Sequence, residues 1–130
     1  MPFYHALVRP ELLDETGREG FAQDVVDVHC DVTGAPPSFV HVLVTEDESG
    51  RLPAGHNGSI HGTIRAGRND DQKAEIASRM SAALAARADV DVSTVVASTR
   101  DIEASFTMEG GELLPEPGTP EEEAWKLIGT

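Results

Sequence analysis

His61-Gly62-Thr63-Ile64-Arg65 repeats the pattern of His5-Ala6-Leu7-Val8-Arg9 at an offset of 56 residues, and each copy opens the same order of elements. Around the first copy, residues 3–9 read as a strand, with Tyr4, Ala6 and Val8 on one side and Phe3, His5 and Leu7 on the other. A helix follows, capped by Asp14, with Phe21, Val25, Val28 and Val32 in a stripe at three- and four-residue spacing. Gly17 and Gly20 weaken its first turns. Gly34 marks its stop, and Pro36-Pro37 prevents continuation. The β-branched run 38–45 then reads as the best strand in the chain.

The second copy repeats the plan after a charged loop over about 47–58. A capped helix starts near Asn69, with Ile76, Met80 and Leu84 on its apolar side, and residues 94–98 form a further apolar strand. The expected architecture is α/β (α+β) in a single domain over 1–130. One βαβ unit spans about 2–46, a second about 59–100, and a C-terminal segment, irregular from 105 onward, completes the chain. The four strands form a mainly parallel sheet, and right-handed crossovers put both helices on one face. The opposite face then lacks a cover, which predicts a homo-oligomer.

Composition narrows the partners. Ten Lys and Arg stand against 23 Asp and Glu, a formal charge of −13. Such a balance argues against nucleic acid and against an anionic membrane surface, both of which select cationic faces. Cys30 is the one cysteine, so no intrachain disulfide is possible. No apolar run reaches the roughly 20 residues needed to span a bilayer, and no basic-then-apolar leader precedes the first strand. A soluble, cytoplasmic chain is expected. If its ligand is an anion, the few basic residues are where to look.

Several residues carry chemistry. Pro2 follows the initiator methionine, and removal of Met1 leaves it a free secondary amine that titrates near neutrality. With Met1 retained, Pro2 is an amide and has no such chemistry. Arg65 and Arg68 flank Ala66-Gly67 at a strand-to-helix turn, where two guanidiniums can converge on a carboxylate or serve as salt-bridge partners. His29 lies late in the first helix beside the apolar stripe. Its neighbour Cys30 points about 100° away around the helix and reads as packing. Glu109, set between apolar residues and the pair Gly110-Gly111, suits a carboxylate folded over something. The five histidines show no ligand spacing for a metal, and phosphate loops, a nucleophile elbow and a dinucleotide fingerprint are absent.

Together these features resemble the tautomerase superfamily, most closely its branch around cis-3-chloroacrylic acid dehalogenase. Pro2 stands at the family's catalytic position, and Asp27-Val28-His29 followed by Thr33-Gly34 is similar to the helix carrying its active-site histidine. The stretch from His61 to Arg68 is similar to its turn with two carboxylate-binding arginines. Glu109-Gly110-Gly111 through Pro117-Gly118 resembles the segment whose glutamate activates water. The resemblance implies a tautomerase/MIF-like fold and a homotrimer without cofactor or metal. It further implies a small carboxylate substrate, with Pro2, His29 and Glu109 catalytic and Arg65 and Arg68 binding. In one departure, Ser98 stands where the dehalogenases carry an active-site tyrosine, and Tyr4 is too far along the chain to be that residue. Three functions are thus expected in order: a tautomerase of 2-oxo or unsaturated acids, a hydratase or dehalogenase of haloacrylate-like acids, and a non-catalytic small-acid binding or assembly module.

Overall fold

The computed structural model describes residues 1–129. Strand β1 (Phe3–Val8) alternates in burial along its length, with Tyr4, Ala6 and Val8 each 1% exposed. Helix α1 (Glu15–Thr33) begins where the Asp14 carboxylate accepts from the Gly17 amide, and ends where Gly34 turns left-handed at φ 76°. A short 3-10 turn, Pro37–Phe39, precedes β2 (His41–Glu46), so the strand starts three residues later than the β-branched run suggests. Pro37 opens that turn, and the Phe39 and Val40 amides are spent on the Pro36 and Pro37 carbonyls rather than on a strand partner.

The second unit runs through β3 (Gly58–Arg65), α2 (Asp70–Ala88) and β4 (Val95–Ile102). Asn69 and Gln72 close a reciprocal capping box at the start of α2. Strand β4 continues past the expected 98 because it lies at the sheet edge, where the polar residues Arg100 and Asp101 still pair with β3 through Thr63 and Ile64.

The four strands lie in the order β2-β1-β3-β4. The β1–β2 and β3–β4 pairs are parallel, as βαβ crossovers require, and the central β1–β3 pair is antiparallel. Both helices cover one face. Phe21 and Val25 of α1 and Ile76, Met80 and Leu84 of α2 pack with Tyr4, Ala6, Val8, Ile60 and Ile64 into one core. On the other face Phe3, Leu43 and Val96 stay 44–48% exposed.

The C-terminal segment is more ordered than expected. A two-residue-per-arm hairpin, β5 (Met108–Glu109) with β6 (Glu112–Leu113), leads to α3 (Pro120–Ile128). This helix starts on Thr119, whose hydroxyl accepts from the Glu122 amide, and carries Pro120 and three glutamates in its first turn. Trp125 of α3 rests on Phe39, ring centroids 4.2 Å apart.

Candidate active site

The antiparallel central pair decides where the chain begins. Phe3 faces Thr63, so the start of β1 lies beside the end of β3 and the Ala66–Arg68 turn. Had the pair been parallel, eight residues of strand, about 25 Å, would separate the two. Pro2 is buried there, and its carbonyl accepts from the His41 amide at 3.0 Å.

Ahead of it, the Met1 amine pairs with the Glu109 carboxylate, brought over by the hairpin. Burial, and secondarily the Arg65 guanidinium, lower this amine from 8.0 to about 6.

His29 is 2% exposed, although it sits on a helix. Its Nδ1 is 2.7 Å from the Tyr4 hydroxyl, with the rings edge-on at 5.6 Å. Gly62 lies opposite Tyr4 across the β1–β3 pair, and a Cβ at this glycine would collide with the tyrosine ring. A side chain at 62 would therefore push Tyr4 off the histidine. Burial first, then the charge of Arg68, lowers His29 to about 3, so the imidazole is neutral. Burial also pushes the Tyr4 hydroxyl up, and the phenol stays protonated. Cys30 turns away and packs at the edge of the core, its thiol pushed up by burial.

The two arginines are not equivalent. Arg68 follows Gly67, which at φ 119° adopts a backbone that suits glycine, and its guanidinium is half-buried near Tyr4 and His29, whose titrations it depresses. Arg65 is 4% exposed. Its Nη2 lies 2.7 Å from Glu122, its Nη1 donates to the Pro115 carbonyl at 2.8 Å, and the Trp125 ring lies 5.1 Å from its guanidinium carbon.

One end of the sheet thus gathers the chain start, His29, Arg65, Arg68 and Glu109. Ser98 stands apart on the open face, where its hydroxyl bonds His61 Nδ1 at 2.9 Å. Tyr4, Glu122 and Trp125 belong to this end as well; the sequence assigns no site role to Tyr4 or Glu122, and gives Trp125 only a place beyond the segment of Glu109 that resembles the family's. For Tyr4 the alternation of β1 was the available signal, since it points the ring toward α1. Among the described residues no group of three or more His, Cys, Asp or Glu is placed to hold a metal ion.

The fold has solved counterparts. N1, a member of the cis-3-chloroacrylic acid dehalogenase family, is 30% identical and matches 95% of this chain and 89% of its own with a TM-score of 0.83. The chain belongs to the cis-3-chloroacrylic acid dehalogenase family. Native fused 4-OT is 21% identical over 85% of this chain and 94% of its own, at a TM-score of 0.75. The macrophage migration inhibitory factor of Toxoplasma gondii is 16% identical over 86% and 99%, at 0.74. These last two likenesses show the fold. No family model and no curated protein matches the sequence. Membership in the dehalogenase family supports an enzyme of tautomerase or dehalogenase type, and no helix among the described residues is long and apolar enough to cross a membrane.

Proposed function

We propose that the protein is a cofactor-independent tautomerase of small 2-oxo or unsaturated carboxylic acids, working through Pro2 as an amino-terminal secondary amine. The supporting observation is the gathering of chain start, cation and neutral histidine at one end of the sheet. In this reading Met1 is removed. The causes that lower the Met1 amine, burial and Arg65, then act on the proline nitrogen, leaving a neutral base at physiological pH. Arg68, with Arg65 behind it, holds the carboxylate, and His29 donates to the polar end of the substrate. The amine takes the enol hydroxyl proton and returns a proton to C3, so the enol becomes the keto acid with no net exchange of atoms.

Contact between Glu109 and the chain's amine favours a second reading. A carboxylate there stabilises the protonated amine and can orient a water, which is the arrangement hydration or dehalogenation of an unsaturated acid requires. Three copies assembled on the open sheet face would complete either enzyme. Similar structures include fused 4-OT trimers, one of them 21% identical to this chain.

Ketonisation of phenylenolpyruvate, followed by ultraviolet absorbance in wild type and Pro2→Ala, is the test, with intact mass to establish whether Met1 is gone. A rate that falls at least about 100-fold in the variant supports the proline mechanism, and equal rates would remove it. The pH profile separates the two readings. A neutral base loses kcat/KM as pH falls through the lowered titration of the amine, whereas an acid loses it as pH rises.

A further inference from the structure

Arg65 already holds a carboxylate. On β3 it shares the parity of His61 and Thr63, which places it on the side away from α1 and α2, and α3 is what buries it there. One guanidinium nitrogen is spent on the Pro115 carbonyl, another faces Glu122, and the guanidinium carbon stands over the Trp125 ring. Glu122 is itself 8% exposed, and its second oxygen takes Lys126 at 3.1 Å. The ion pair therefore fills the Arg65 site from within, through facing charges rather than a well-aligned hydrogen bond at Nη2. Arg68 has no carboxylate partner among the described residues and keeps its charge beside Tyr4 and His29.

We propose that Glu122 is a built-in carboxylate that occupies Arg65, so that the site takes acids with one carboxylate and rejects dicarboxylic acids. The proposal rests on the tautomerase reading and adds its substrate class. With Arg65 neutralised, one guanidinium remains to meet substrate. A second carboxylate would find Arg65 already engaged by Glu122 and the Pro115 carbonyl, and would meet Glu109 as a like charge on the other side. The adjoining cavity agrees with this. It holds about 360 Å³ and is lined by Glu109, Gly110, Glu112, Leu113, Trp125 and Ile128, and its two carboxylates oppose a second anion.

Phenylenolpyruvate and enol-oxaloacetate share the enol acid end and differ at C3 by phenyl against carboxylate, which makes them the kinetic pair. Wild type should prefer the first. Glu122→Ala and the milder Glu122→Gln should narrow that preference about tenfold, through KM for the dicarboxylate. Thr119→Ala removes the cap of α3 while keeping the carboxylate, and should leave the ratio of the two substrates unchanged. An unmoved ratio in folded Glu122 variants overturns the proposal, and so does an equal shift in Thr119→Ala.

Binding of propionate and succinate, read from the arginine side-chain resonances, keeps the question independent of turnover. Succinate should gain about tenfold over propionate in Glu122→Ala relative to wild type. If no enol is turned over, the tautomerase reading fails and this affinity ratio still decides the role of Glu122.

Discussion

Tyr4 and His29 are 25 residues apart in sequence, and their hydrogen bond settles the state of the imidazole. A phenol raised by burial keeps its proton, and His29 Nδ1 is its one hydrogen-bond partner among the described residues, so the hydroxyl donates and Nδ1 accepts. In a neutral ring the proton then resides on Nε2, which makes His29 a hydrogen-bond donor toward substrate and a poor base. The same burial has a thermodynamic signature. A histidine at about 3 when folded and near 6.5 when unfolded leaves the unfolded chain binding the extra proton between those values. Stability contributed by the neutral ring is complete above pH 6.5 and is lost as pH falls toward 3, at up to about 1.4 kcal/mol per pH unit. Urea unfolding at pH 7 and pH 4.5 should show that slope in wild type and a shallower one in His29→Asn; identical slopes would refute the assignment. The arginines should separate in another way. Arg68→Ala is expected to raise KM for monocarboxylic acids by about 10- to 100-fold with little change in Tm. Arg65→Ala strands the buried Glu122 and should cost about 3 kcal/mol of stability, measured by denaturant unfolding.

Elements that stabilise themselves locally were the legible ones. Asp14, Gly34 and Asn69 are cap residues by chemistry, and the stripes Phe21-Val25-Val28 and Ile76-Met80-Leu84 have helical spacing, so both long helices could be placed from residue types alone. Gly17 and Gly20, which counted against the start of α1, are tolerated there. The bare Gly20 makes room for the Arg87 guanidinium, which pairs with Asp24 across the two helices. Helix α3 was missed, although Thr119-Pro120 followed by Glu121, Glu122 and Glu123 is a helix start in outline. Nine residues are too few to be helical by propensity, and what holds them is tertiary: Trp125 on Phe39, Glu122 on Arg65, and Ser38 donating to the Gly129 carbonyl at 2.7 Å. Trp125→Ala removes the ring from Phe39 and Arg65 together. Stability should fall by about 2 kcal/mol, and amide exchange across α3 should accelerate while α1 and α2 stay protected. Uniform acceleration through all three helices would show instead that α3 is integral to the main core.

At the scale of the whole molecule, the direction of the central strand pair was the feature that strand patterns left open. Two βαβ units can meet with β1 and β3 parallel or antiparallel, and the alternation of each strand is the same in both cases. The antiparallel choice puts Pro2 beside the Arg65–Arg68 turn, so the site is a consequence of how the repeats join rather than of either repeat. The uncovered face follows from the same layout. Phe3, Leu43 and Val96 stand half-exposed beside His5, His61 and Ser98 on the side the long helices do not reach, and α3 covers one end of that side alone. Burying such a face between copies is opposed by a net charge of −13 on each chain. Association should therefore strengthen with ionic strength up to a few hundred millimolar, because screening weakens the repulsion while apolar burial is preserved. Light scattering should report a multiple of 13.9 kDa for wild type, and Leu43→Glu or Val96→Glu should shift it to a single chain with far-ultraviolet circular dichroism unchanged. A wild-type mass of one chain at every salt concentration would leave the open face as solvent-exposed sheet. Dissociation by added salt would mean that charge pairs, not the apolar residues, hold the copies together.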